Sequence, residues 1–435
     1  MKTASPREIT WVAGGLLAAG LLGLAMPPFI DSLRVFGRYI PQDRIEFDYL
    51  FGLIWATMIA LSIRFWPVRD SDKRPLLIIW LAKVFVTLGA MLAYEWNYEL
   101  DAYGYYGRST MPGLPPAGTA WSAGTVAVTR FAWLHSQILP DSFHAMKVSF
   151  ALIGLVAVYV IYRGAVRFRG VEDRRMLYWV ALFPSILFWS STIGKEPLHL
   201  LGIAIYVYGV LSWRATGRTV HVLTVAVGVA LAFLIRSWSG PILLFPLALF
   251  AVIGIRRPVA RVAFVAIALV AFLWSVGRFA TMFNIETIRD VQNAAEARSA
   301  GWAGGSAQER TGRFTGLGSM LRFAPLGAFT ALFRPLPGEV RNPFGIVAGL
   351  ENTFLLGLLA VALVRARIRR LRDPAIAWAI LLIITWSFIY SFVSYYNFGA
   401  AVRFKLQILP VLLLVLLHLA RSPDDRVPAP FTPPR

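Results

Sequence analysis

The sequence predicts an all-α fold: a polytopic helical membrane protein of about twelve transmembrane helices, joined by loops that contain short interfacial helices. Three observations predict it. Apolar runs of roughly 18 to 22 residues recur along the chain, long enough to cross a hydrocarbon core about 30 Å thick. Of the 435 residues, 57% are hydrophobic and 15% charged, whereas a soluble domain would interrupt its apolar faces with polar residues. Finally, Lys and Arg gather in alternate short loops, as they do on the cytoplasmic side of membrane proteins.

Taken in order, the spans are predicted near 9–30, 47–66, 76–94, 146–163, 176–193, 197–213, 219–235, 239–255, 259–280, 345–364, 374–393 and 403–420. The first follows a short basic start, Met1–Arg7, and its apolar run is longer than a cleaved signal peptide needs, so it is read as retained. Arg64, Arg69, Lys73 and Arg74 fall in one loop, and Arg163, Arg167, Arg169, Arg174 and Arg175 in the next but one. Arg214/Arg218, Arg256/Arg257/Arg261 and Arg365–Arg372 continue the alternation, with Lys2, Arg7, Arg421 and Arg426 on the same side. This places both termini in the cytoplasm. Residues 1–420 form a single transmembrane domain with large external loops at 95–145 and 281–344; 421–435 is a Pro-rich, disordered cytoplasmic tail. Within the loops, a short amphipathic piece is expected around Val126–Leu139 and a helix over Glu286–Ala300, followed by the Gly-rich break Gly301–Gly305. Leu317–Phe333 is too interrupted for a span and is read as re-entrant or interfacial.

The formal charge of +20 belongs to the membrane-flanking loops, and no nucleic-acid partner is implied. Without cysteine there are no disulfides, thiolate metal sites or cysteine nucleophiles. The five histidines show no metal-ligand spacing, and no phosphate loop or nucleophile elbow is present; neither metal nor cofactor is expected.

Charges near span ends are costly unless they reach water, pair, or serve a ligand. The stretch Tyr94–Arg108 places Glu95, Glu99 and Asp101 among six aromatic residues at a membrane boundary. An interfacial belt explains the aromatics but not the carboxylates. Asp101 is the candidate base, able to take a proton from a hydroxyl within hydrogen-bond reach, while Tyr103, Tyr106 and their neighbours offer flat faces with polar edges. Lys195-Glu196 precedes Pro197, and Arg236 precedes Pro241. Proline fits a first helical turn, so two helix N-termini with adjacent cations would make a phosphate site. Glu196 also has a plainer role there, stabilised by the helix dipole. His199 lies close enough to join the site or to be a satisfied buried histidine. Arg403 and Lys405 sit two apart, so on a helix they diverge and one turns inward. Arg334 and Glu339 lie on a proline-stiffened strap, either as an ion pair or as part of the site. Lys83 is expected to snorkel to the cytoplasmic surface.

Asp101-Ala-Tyr103 in the first large loop, Phe183–Ser191 leading to Lys195-Glu196, and Arg236 together resemble the GT-C superfamily of membrane glycosyltransferases, which use polyprenyl-phosphate sugars. Phe333–Glu339 and Asn397–Arg403 are similar to stretches of multi-span proteins from polysaccharide gene clusters. The resemblance covers five short stretches over about three hundred residues. It implies an enzyme of the bacterial inner membrane, taking a sugar from a polyprenyl-phosphate-linked donor to a glycan acceptor at the external face, with the lipid bilayer as its surroundings. By it, Asp101 activates the acceptor with Glu99 as substitute, and Lys195, Arg236, Arg334 and Arg403 hold the phosphate. Glu196, Glu339, Tyr103, Tyr106 and His199 support them, and inversion at the anomeric carbon is expected. One departure is that two spans precede the carboxylate here, where the family usually has one. An O-antigen or exopolysaccharide polymerase or ligase is the alternative. A transporter or flippase is a third, disfavoured by the scarcity of mid-membrane polar residues and of internal repeats.

Overall fold

A computed structural model describes residues 24–98, 100–113, 123–254, 258–282, 284–287, 289–290, 293 and 316–421. The regular structure is helical throughout, with no strand among the described residues, so the chain is the all-α polytopic protein its apolar runs predict. Seven helices there are long and apolar enough to cross a membrane: Ile45–Phe65, Asp70–Asn97, Phe143–Arg169, Lys195–Thr216, Arg261–Thr281, Pro343–Arg365 and Pro374–Phe392. A bent pair, Phe398–Lys405 and Leu409–Leu419, makes an eighth if counted as one span. Val220–Ile235 and Ser239–Gly254 are apolar but only 16 residues long.

Two predicted spans are therefore broken. The 176–193 segment folds as Arg174–Ala181 and Pro184–Trp189, because Pro184 has no N–H to continue the helix and holds Phe183 extended (ψ 127°). The 403–420 segment turns through 69° between its halves, restarting just before Pro410. Leu317–Phe333 is a full helix packed on Pro374–Ser394, with Phe323 against Phe392 and Tyr395. The expected amphipathic piece appears as the helix Ala123–Ile138. Most of the predicted 9–30 span, most of the helix expected over Glu286–Ala300, and all of Gly301–Gly305 and the tail beyond Arg421 lie outside the described residues.

Helix Phe143–Arg169 is the centre of the bundle, started by the Ser142 side chain, which accepts from the Ala145 amide, and ended by left-handed Gly170 (φ 69°). Phe143, Phe150, Leu155, Val158 and Tyr162 on it are inaccessible. Its first two turns also carry charge. Lys147 Nζ lies 2.7 Å from Glu95 with both side chains fully buried, and His144 hydrogen-bonds Asp48.

The basic loops meet at one end of the bundle. Arg163 lies 3.5 Å from Asp72 and 3.4 Å from Glu172, which also takes Arg69. Arg214 pairs with Asp373 and Arg421 with Asp173, each at 3.7 Å. The helices starting at Asp70 and Pro374 run away from this end, and those ending at Thr216 and Arg365 run towards it. The opposite helix ends bring Tyr94, Lys195, Arg236 and Phe344 together.

What sets their spacing is close helix contact. Helices Lys195–Thr216 and Val220–Ile235 touch through Gly202 and Gly228; a Cβ at Gly202 would stand 2.7 Å from the Ala232 nitrogen, and one at Gly228 would collide with the Tyr206 amide. Gly228→Val should therefore cost about 1–3 kcal/mol by overpacking. It should also push Arg236 from Glu196, measured as a lower melting temperature in detergent than Gly277→Val, a site with open space around it.

Candidate functional site

A cavity of about 810 Å³ opens where these helix ends converge. Asp101, Lys195, Arg236 and Arg403 all line it, although Asp101 and Arg403 are 302 residues apart. Each arrives by a different local route. After extended Leu100, the chain turns into the short helix Asp101–Ser109, which puts Asp101 in its first turn. Lys195 and Glu196 begin helix Lys195–Thr216 directly after the extended Gly194. Arg236 is the extended residue that ends Val220–Ile235. Arg403 lies on Phe398–Lys405, whose start is capped by Asn397 accepting from the Ala400 amide.

The charges are organised by Glu196. Its side chain is 2% exposed and accepts from Arg236 at 2.9 Å, and from Arg403 through Nε at 2.7 Å and NH2 at 3.1 Å. Its role is thus larger than a dipole-stabilised helix start. Arg403 turns its other edge to Asp101, at 3.2 Å, whose side chain is 61% exposed. Lys195, Arg236 and Arg403 set against Glu196 and Asp101 leave one net positive charge. Arg236 is buried, yet its Nε has no hydrogen-bond partner among the described residues. Arg236 lines the cavity, and a guanidinium in that position suits an anion. The start of helix Pro343–Arg365, capped by Asn342, faces the same space and adds its dipole.

The aromatic wall differs from the predicted one. Tyr94, Tyr98, Phe188, Trp189 and Phe344 line the cavity. Tyr94 packs on Phe344 at 4.9 Å and on Phe188 at 5.2 Å, and Asn342 donates to Tyr98 at 3.1 Å. Tyr103 and Tyr106 instead turn to Phe143, and Tyr106 hydrogen-bonds Gln42 and Asp141. Burial, and then the Asp101 charge, push the phenol of Tyr105 well above the ordinary tyrosine value. A π-turn at Val86–Ala90 brings Val86 and Ala90 to the cavity's apolar side.

The remaining candidates take other places. His199 is buried and bonds Ser239 at 2.7 Å, outside the cavity lining. Arg334 is occupied by Glu339 (Nε–Oε1 2.8 Å) and stacks over Phe398; the pair closes the turn that carries Pro335 and Val340 to the wall. Glu99 lies outside the described residues. Lys83 does not snorkel. It is fully buried, donating to the Ser190 carbonyl at 3.1 Å and to the hydroxyls of Ser190 and Ser191 at 2.6 and 3.2 Å. Arg403 and Lys405 both turn inward, to different partners. Lys405 reaches Asn352 and lies 3.5 Å from Glu351, which also accepts from the Ser185 amide at 2.7 Å. The length of the apolar segments hid this hub, because a lone Glu in an apolar helix shows its partner only after folding. Among the described residues no three His, Asp or Glu side chains gather as metal ligands would.

No protein-family model, curated protein or solved structure matches the chain.

Two outcomes separate these roles. Glu196→Ala leaves the buried Arg236 without its carboxylate and Arg403 with Asp101 alone, and should cost about 3–5 kcal/mol, whereas exposed Asp101→Asn should change stability by less than about 1 kcal/mol; thermal unfolding in detergent reads both. The strap gives a pH signature. Burial would raise the Glu339 carboxyl, but the Arg334 hydrogen bonds, the Leu336 amide and the Arg334 charge hold it below the ordinary value. A depressed carboxylate stabilises above its unfolded pKa and loses that contribution as pH falls through its folded pKa. Hydrogen exchange at Leu336 should accordingly be slow at neutral pH, once corrected for intrinsic rate, and lose protection in acid. Glu339→Gln should remove that dependence.

Proposed function

We propose that this chain is a glycosyltransferase of the bacterial inner membrane, moving a sugar from a polyprenyl-phosphate donor to a hydroxyl of a glycan or lipid-linked acceptor at the external face. The observation that carries the reading is the meeting of Asp101, Lys195, Arg236 and Arg403 in one cavity, at the bundle end opposite the arginine-rich loops. By the positive-inside rule that end faces away from the cytoplasm. Lipid-linked sugars are available there and ATP is not. The volume suits a ligand of sugar-phosphate size.

Asp101 accepts the proton of the acceptor hydroxyl while its oxygen attacks the anomeric carbon. The bond from that carbon to the phosphate oxygen breaks, and the polyprenyl phosphate leaves as an anion with its bonding pair. Lys195, Arg236 and Arg403 stabilise the charge that develops on it. Tyr94, Tyr98 and Trp189 offer faces to the sugar, and Val86, Ala90 and Val347 an apolar side to the lipid. A single base without a second catalytic carboxylate leads to inversion.

Asp101→Asn in proteoliposomes should lower transfer by about 10²–10⁴-fold with donor binding retained; normal transfer sinks the mechanism. Glycans from a deletion strain supply the second readout. Incomplete repeat units fit a transferase, while intact single units identify a polymerase.

A further inference from the structure

Arg403 has two edges with unlike partners. Nε and NH2 form a fork onto both oxygens of Glu196, at 2.7 and 3.1 Å. That carboxylate is buried and is held a third time by Arg236 at 2.9 Å, so this edge is fixed. NH1 and NH2 form the other edge, and both meet a single oxygen, Oδ2 of Asp101, at 3.2 Å. Here the carboxylate is exposed and sits on a separate short helix. A guanidinium edge matches two phosphate oxygens better than one carboxylate oxygen, and charge-assisted pairs of that kind are shorter and stronger.

We infer that Arg403 holds Asp101 in reserve and that the donor's phosphate releases it, by taking over the NH1/NH2 edge while Glu196 keeps the other edge in place. The inference rests on the glycosyl-transfer reading and adds an order to it. Before the donor binds, Oδ2 of Asp101 is occupied by Arg403. Once phosphate spans the edge, with Arg236 and Lys195 at the same cavity, that oxygen is free for the acceptor. Donor therefore binds first and the acceptor second. No covalent change is involved; one anion replaces another at the guanidinium. Arg403 is in this sense a positioning residue for Asp101 as well as a phosphate ligand.

The test uses the full chain in lipid nanodiscs, with farnesyl phosphate and inorganic phosphate as probes. Their binding is measured by calorimetry, and Asp101 accessibility by carbodiimide labelling and mass spectrometry. Farnesyl phosphate should raise Asp101 labelling about tenfold, with a midpoint at its own Kd. Inorganic phosphate should do the same at higher concentration. Arg403→Lys keeps a cation for Glu196 but lacks the second edge. It should show high labelling without any probe and no further rise, with folding checked by its melting temperature. Should that variant fail to fold, wild-type labelling with and without probe still decides. Binding of either probe with Asp101 labelling unchanged or lower overturns the inference alone, as does low labelling in a folded Arg403→Lys protein. Failure of both probes to bind overturns the phosphate-site reading itself.

Discussion

The structure of the site depends on one buried carboxylate between two guanidiniums. Arg236 and Arg403 come from helices that approach the cavity from different parts of the chain, and without Glu196 their charges would repel in a poorly hydrated place. Removing two charges from water costs several kcal/mol per ion, which is offset only by close, well-aligned pairing. Three hydrogen bonds to Glu196 provide that pairing. They also leave the outer edge of Arg403 on a carboxylate that is half in solvent. The inner half of the cluster is therefore rigid and its outer half exchangeable, which is the distribution a binding site for an anion requires.

Around this cluster, further buried cations hold the irregular segments that the bundle uses to shape its cavity. Lys83 fixes the Ser190–Ser191 turn that leads to Lys195, and Lys405 fixes the foot of the helix carrying Arg403. Lys147 holds Glu95, the neighbour of the wall residue Tyr94. Non-helical backbone is tolerated at membrane depth only where protein or water satisfies its polar groups. Here the Ser190 carbonyl is met by Lys83, the Ser185 amide by Glu351 and the Pro335 carbonyl by Asn352. The polar residues buried in this bundle are thus more numerous than the scarcity of charge in the apolar runs suggests. Lys83, Lys147 and Lys405 each have partners that make them fastenings of the bundle.

The helical membrane class, the placement of most segments, the basic end and the identity of Asp101, Lys195 and Arg236 as unusual charges were all legible in the sequence. Their residue types are expensive where they stand, and composition alone shows it. Break points were legible in part: Pro184 marks one, but its flanks are apolar enough to read as one continuous span. Facing was not legible. A soluble amphipathic helix shows its inward side through polar residues on the other, whereas these helices are apolar nearly all round. So the sequence offered no reason to choose Tyr94 and Tyr98 over Tyr103 and Tyr106 for the cavity wall, or to send Lys83 inward.

By itself, then, the sequence determined what kind of solvent the chain needs and which side chains have to be explained. Only the tertiary structure decided which of them meet. Arg403 finds Glu196 across 207 residues and Asp101 across 302, and no local pattern encodes contacts at such separations. They follow from helices packed at glycines, from segments broken at prolines, and from the pressure on every buried charge to find its opposite.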